Sequence, residues 1–212
     1  LGGGGADTYT IQAGDASSDG PADAFGIVGD VINEIGGDLS SDAGDSVALA
    51  GLTGIDSVAF ERTAIRFEDD DATLRMTTTN ADGSNDVVHI FDHYNEDLPF
   101  RQVEQLLLDE GWEDDQIWNL VYSTNGENGD ILDGGAYRDV LIGGSGNDVL
   151  TSGGGIDVMQ GGAGSDTFVL GDSEYEGTVT DAHGKVTMIR DYVAGEDDID
   201  LSALGITAED VT

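Results

Sequence analysis

Five aspartates stand nine residues apart, at Asp130, Asp139, Asp148, Asp157 and Asp166. A large apolar residue follows each by two places, at Leu132, Leu141, Leu150, Met159 and Phe168. From Asn125 to Val169 the chain divides into NGENGDILD, GGAYRDVLI, GGSGNDVLT, SGGGIDVMQ and GGAGSDTFV, with no residue inserted or lost. An isolated copy, GGGGADTYT, occupies residues 2–10, with Asp7 and Tyr9 in the same slots. Carboxylates can catalyse or can hold hard cations, and the spacing decides between these. Glycines at positions 1, 2 and 4 permit positive φ and close backbone approach, so the first six residues form a tight turn. The last three, such as Val149-Leu150-Thr151, are β-prone and short. Two nonapeptides then make one coil, with a strand on each side and the apolar residues meeting between them. Coils stack at roughly 4.8 Å, which sets the turn of repeat n beside that of n+2 and brings together aspartates 18 apart. Two such carboxylates repel, but with the carbonyls of the turns they form an all-oxygen cage. That cage suits a hard divalent ion, and calcium's longer bonds and flexible coordination favour it. A Gly/Asp-rich flexible linker has the same composition, but linkers do not keep apolar residues in phase.

The whole composition asks for such a cation. Against 7 Lys and Arg stand 44 Asp and Glu, a formal charge of −37 in 212 residues. Charge of that sign and size repels phosphate, which excludes nucleic acid and anionic membrane surfaces as partners. It also opposes a compact state unless something offsets it. Glycine makes up 33 residues, well above the usual share of roughly 7%, and cysteine is absent, so no disulfide helps. No apolar run reaches the roughly 18 residues of a membrane span. The chain opens on LGGGG without an initiator Met or a basic leader and reads as a piece of a longer protein, cut at both ends.

The run 125–169 resembles the parallel β-roll of RTX (repeats-in-toxin), or haemolysin-type calcium-binding, proteins. The resemblance implies that each ion sits between turns n and n+2. Positions 2 and 4 and the Asp of the first turn would hold it, with positions 1 and 3 and the Asp of the second. One site then uses Gly126, Asn128 and Asp130 with Gly143, Ser145 and Asp148. A second uses Gly135, Tyr137 and Asp139 with Ser152, Gly154 and Asp157, and a third Gly144, Gly146 and Asp148 with Gly161, Ala163 and Asp166. Asn128 and Tyr137 replace glycine at position 4, which strains the turn at Tyr137 if that position needs positive φ. The segment VTMIRDYVAGEDDIDLSALGI resembles the one that closes such rolls in serralysin-type proteins. By analogy Asp166, with Gly162 and Gly164, pairs with Asp191, and Asp7, with Gly3 and Gly5, pairs with Asp30 or Glu34 in terminal sites.

Residues 35–124 alternate as strands do, in Ser46–Leu49, Ser57–Phe60, Ala64–Phe67, Thr73–Met76 and Asp86–Ile90. Val103–Gly111 fits a short helix or a buried strand. The stretch resembles the haemolysin-type calcium-binding-related module, which implies a strand at Val103–Leu108 and a short turn or helix at Asp115–Val121. His89 and His93 lie four apart without the Glu of a zinc-protease helix, and on a strand they are about 13 Å apart. They read as surface or cross-strand residues. Trp112, Trp118 and Tyr122 suit a sugar-binding surface or, more simply, core packing. Carboxylates this abundant carry no glycosidase signal, and no G-x-S-x-G, P-loop or Cys–His pair is present.

The expected fold is all-β. It comprises the end of a first roll block (1–34), a β-rich module (35–124), a roll of five nonapeptides (125–169) and a roll-closing segment (170–212). The expected function is a non-catalytic domain that takes up at least three calcium ions and folds outside the cell after passing a bacterial type I secretion machinery. Two other readings of the parent remain: an adhesin or surface-layer module that self-associates or meets cell-surface glycans, and the accessory domain of a secreted protease, lipase or polysaccharide-modifying enzyme.

Overall fold

A nine-residue unit with one apolar side chain cannot bury that side chain alone, so the repeats must stack to make a core. The computed structural model describes residues 8–12, 30–32, 46–51, 54–63, 73–80, 82–90, 105–108, 117–122, 129–171, 186–207 and 210. Among these the chain is all-β with no α-helix. It divides into two compact units after Ile117.

In the first unit, β1 (Thr8–Gln12), β3 (Ser46–Ala50) and β7 (Gln105–Leu108) lie parallel, with Tyr9 beside Val47 and Val47 beside Leu106. A second sheet runs in the order β2 (Asp30–Ile32), β6 (Asn85–Ile90), β5 (Thr73–Thr79) and β4 (Val58–Thr63). Its β2–β6 pair is parallel and its other pairs are antiparallel. The segment 103–111, left between helix and strand by periodicity, is a strand over Gln105–Leu108. His89 sits across from Arg75 and Val31 and is buried, so it is a cross-strand residue and not a surface one. Ala64–Phe67, His93 and Trp112 fall outside the described residues.

The second unit begins with a correction. Residues 117–122 form strand β8 (Ile117–Tyr122), where a turn or helix was expected over 115–121. The reason is its partner: β8 pairs in parallel with β10 (Asp139–Ser145), Asn119 opposite Asp139 and Leu120 opposite Val140. Trp118 is 1% exposed, which makes it core and not a sugar platform. β12 (Val158–Ala163) and β14 (Met188–Ile189) continue this sheet. The facing sheet stacks β9 (Ile131–Asp133), β11 (Val149–Thr151), β13 (Thr167–Val169) and β15 (Asp198–Asp200), all parallel. Within the repeats the register step is 18 residues, as Val140 to Val158 and Leu132 to Leu150 to Phe168 show. Leu132, Leu141, Leu150, Met159 and Phe168 form one buried cluster, so the two sheets share the apolar column that the period places between them.

The turns depend on glycine where one backbone lies directly on another, and position 2 shows both extremes. Gly162 has φ of 99°, and a methyl group there would collide with the carbonyl of Gly144 in the turn beneath. Gly135 has φ of 90° at the same position, but a methyl group on it meets nothing within 4 Å. Gly162→Ala is therefore expected to cost at least about 2 kcal/mol, and Gly135→Ala only the conformational share of that. Urea unfolding of both variants in saturating calcium checks the difference. Equal losses would show that backbone stacking does not dictate glycine there.

Candidate metal centre

The register brings each aspartate against the next one 18 residues on. The Asp130 amide donates to Asp148 Oδ1 at 2.8 Å, the Asp139 amide to Asp157 Oδ1 at 3.1 Å, and the Asp148 amide to Asp166 Oδ1 at 2.9 Å. Each inner carboxylate thus spends one oxygen on tying turn n+2 to turn n. The other oxygen is left over. Oδ2 of Asp139, Asp148 and Asp157 is buried with no hydrogen-bond partner, and the three residues are at most 1% exposed.

Two of these unpaired oxygens border carbonyls. A methyl group on Gly134 would lie 2.9 Å from Asp139 Oδ2 and 2.8 Å from the carbonyl oxygen of Ser152. One on Gly143 would lie 2.5 Å from Asp148 Oδ2 and 2.6 Å from the carbonyl oxygen of Gly161. Glycine at position 1 therefore keeps open a small volume that a carboxylate of one turn and a carbonyl of the next-but-one turn both border. Among the described residues no three His, Cys, Asp or Glu side chains converge. An ion held here takes most of its oxygens from the backbone, as the chemistry of calcium allows.

Electrostatics point the same way. Burial pushes the Asp157 carboxyl up to about 8; the charge of Asp139 adds to this, and the Asp139 amide and Arg138 work against it. Burial likewise raises Asp139 to about 6, with the Asn119 amide opposing and Asp133 adding. Asp148 and Asp166 are raised by burial first, then by neighbouring carboxylates, against the backbone amides that they accept. A dry carboxylate among like charges stays neutral unless a cation reverses the balance.

The RTX calcium-binding nonapeptide repeat family (4 copies) matches residues 124–159 and 152–173. Over residues 124–173 the chain carries RTX-type calcium-binding repeats. Such repeats bind calcium, and the parallel two-sheet stack is an RTX β-roll. Among curated proteins no relative matches the chain.

Within the roll, the residues of the second site all lie in two stacked turns: the Gly154 amide donates to the carbonyl of Gly135 at 2.6 Å, and Asp139 is tied to Asp157. Tyr137 turns its ring outward, 76% exposed, so glycine's replacement there leaves the stack in place. In the third site Gly144 pairs with Gly162, and the Gly146 amide donates to the carbonyl of Ala163 at 2.8 Å; Gly146 and Gly164 both have positive φ. Of the first site, Asp130, Gly143, Ser145 and Asp148 are placed, while Gly126 and Asn128 lie outside the described residues. So do Gly3, Gly5, Asp7 and Glu34. Asp30 belongs to β2, opposite Val88.

The closing segment brings two acids to Asp166, and the charges of both Asp197 and Asp191 bear on its carboxyl. Asp197, not Asp191, follows Asp166 in the RTX ladder: the Asp166 amide donates to Asp197 Oδ1 at 3.0 Å. Asp197 also ends the ladder, because its Oδ2 accepts from the Val193 amide and its own amide donates to the Val193 carbonyl. Asp191 accepts from the amides of Gly161 and Gly162 at 3.0 and 2.8 Å, clasping the last turn. Two further slot residues escaped sequence reading. Asn119, within β8, donates its side-chain amide to Asp139 Oδ1 at 2.9 Å, and Thr187 Oγ1 accepts from the Asp157 amide at 3.2 Å. Each is followed two places on by an apolar residue, Val121 and Ile189. That echo of the repeat is the signal by which they could have been found.

Proposed function

We propose that this chain is the calcium-driven folding segment of a bacterial protein exported by type I secretion and completed outside the cell. The observation that supports it is the set of buried, unpartnered Oδ2 atoms of Asp139, Asp148 and Asp157, the first two beside glycine-kept gaps. Three ions fit the stacked turns: one between the turns of Asp130 and Asp148, one between those of Asp139 and Asp157, and one between those of Asp148 and Asp166. The side-chain ligands are these five aspartates, and the position 1 to 4 carbonyls supply the rest.

Where free calcium is scarce, as in a cytoplasm, the carboxylates repel and the roll opens, which suits passage through a narrow exporter. At the calcium of extracellular fluid, for which modules of about 10⁻⁴–10⁻³ M affinity are adequate, binding energy becomes folding energy. No helix among the described residues is long and apolar enough to cross a membrane.

Circular dichroism and small-angle scattering test this directly, with the chain first in EDTA and then in about 5–10 mM CaCl₂, a range above the affinities of extracellular calcium modules. Calcium is expected to add β-signal and shrink the radius of gyration. Unchanged compactness and β-signal on chelation would overturn the reading.

A further inference from the structure

The apolar column of the roll is open at one end. Leu132, Leu150 and Phe168 are 7%, 0% and 0% exposed. Ile199 is the next rung of the same column, paired with Phe168 in the ladder, yet it is 44% exposed. In the opposite sheet the matching end residue, Ile189, packs against the core cluster. The opening therefore lies on the β15 side.

β15 is also the last strand of its sheet. The Asp198 amide donates to the Asp166 carbonyl at 2.8 Å, and the Asp200 carbonyl accepts from the Leu170 amide at 3.0 Å. Along a parallel strand the residues that bond to one neighbour alternate with those that bond to the other. Asp198 and Asp200 are thus spent on β13, and the N–H and C=O of Ile199 point to the open side. The side chains alternate too, with Ile199 inward and Asp198 and Asp200 outward. Asp200 is steadied by the Ser202 amide, which donates to its Oδ1 at 2.8 Å. The edge offers one donor, one acceptor and one apolar side chain, flanked by two carboxylates.

We propose that this edge docks a basic extended segment of another protein, which joins the sheet as one more parallel strand. The segment carries an apolar residue between two lysines or arginines. Its apolar side chain covers Ile199 and closes the column. The Ile199 N–H donates to the carbonyl before that residue, and the Ile199 carbonyl accepts from the N–H after it. A neighbour at about 4.8 Å sets the two basic side chains beside Asp198 and Asp200, where opposite charges attract and like charges repel. The strand is parallel because every pair of this sheet is. Charge settles the occupant. None of the chain's seven Lys and Arg stands two places from another, so these 212 residues hold no such segment. A second copy that offered β9, the strand at the other end of the sheet, would stack Leu132 on Ile199 and set Asp133 beside Asp200. The same carboxylates therefore guard the edge against copies of this acidic chain and select a basic partner.

The probe is the capped peptide acetyl-Thr-Lys-Val-Lys-Thr-amide, titrated into the whole chain in saturating calcium and followed by NMR amide shifts. Saturable shifts are expected at Ile199 and not at Ile131, on the opposite edge strand. Replacing both lysines by glutamate is expected to weaken binding by roughly tenfold or more. Methylating the amide nitrogen of the second lysine removes one ladder bond and is expected to cost roughly tenfold. The same methyl group on the valine nitrogen, which faces away from the edge, leaves binding in place. On the protein side, Asp198→Asn with Asp200→Asn is expected to weaken the lysine peptide roughly three- to tenfold. Ile199→Ser is expected to weaken it as well, and Ile131→Ser leaves it unchanged. No saturable shift at Ile199 with millimolar peptide overturns the proposal, as does equal binding of the glutamate peptide or of the one methylated at lysine. Sedimentation of the chain alone tests the other occupant: self-association that Ile199→Ser abolishes gives the edge to a second copy and overturns the basic partner. Circular dichroism of the same samples, with and without EDTA, keeps the calcium reading separate. A β-signal indifferent to chelation sinks that reading and leaves the peptide result standing.

Discussion

Asp148→Asn is expected to raise the calcium concentration needed to fold the repeat unit by on the order of 10–100-fold, since even residues one shell out from a metal are worth that much. Asp148 belongs to two of the three proposed sites, because its turn is stacked between those of Asp130 and Asp166. Asparagine keeps the Oδ1 that accepts the Asp130 amide at 2.8 Å. It replaces the unpartnered Oδ2 with an NH₂ group, which donates and cannot ligate. The backbone tie survives and the ligand is lost twice over. In calcium-free buffer the same change removes a carboxyl that burial already pushes toward its neutral form, so the apo state is expected to be no less stable than the parent. A ligand role therefore predicts opposite outcomes with and without calcium, whereas a structural role predicts loss in both. Asp56→Asn, an exposed acid of the first unit, controls for net charge alone. The measurement is a calcium titration followed by circular dichroism. If Asp56→Asn shifts the midpoint as far as Asp148→Asn, the effect is diffuse charge and not ligation.

What the sequence made legible here was whatever kept the nine-residue phase. The five aspartates and the Leu132–Phe168 column stand where the period places them, because one inserted residue would have turned every later side chain to the wrong face. Legibility ended where insertions entered. Asn119 stands 20 residues before Asp139, Thr187 30 after Asp157 and Asp197 31 after Asp166, against 18 within the repeats. A coil tolerates such added length between its strands at little entropic cost, and the register resumes after it with the phase lost to inspection. The same holds in the first unit, where Thr8 pairs with Ser46 and Ser46 with Gln105. Asp191 illustrates a second limit. Its distance from Asp166 suggested the next rung, but the Asp166 amide donates to Asp197, while Asp191 accepts from two amides of the same turn and acts on Asp166 through its charge. Sequence counts residues, while the ladder counts strands.

Lowering the pH is expected to act with opposite sign on the calcium-free and the calcium-loaded roll. In the calcium-free fold Asp157 titrates at about 8 and Asp139 at about 6, both raised by burial from 3.8. The folded state then binds more protons than the unfolded one between about pH 4 and pH 8. Stability falls with rising pH wherever the folded state holds the extra protons. Acidifying a calcium-stripped sample from pH 8 to pH 5 should therefore stabilise the roll, as each proton does for one buried carboxylate what a shared cation would do for two. In saturating calcium the ligands must be ionised, so protons compete with the metal and the same acidification should weaken binding and lower the melting temperature. The two stability curves converge as calcium leaves. The β-signal in circular dichroism at pH 5 and pH 8 in calcium-stripped buffer, and thermal unfolding at both in excess calcium, give one sign for each pair. Stabilisation by acid in both pairs would mean that calcium does not sit on these carboxylates. Destabilisation by acid in both would mean that the calcium-free fold does not bury them. The contrast depends on a feature that net charge hides: of 44 acids, the few whose Oδ2 is held dry without a partner decide how the roll answers to protons and to calcium.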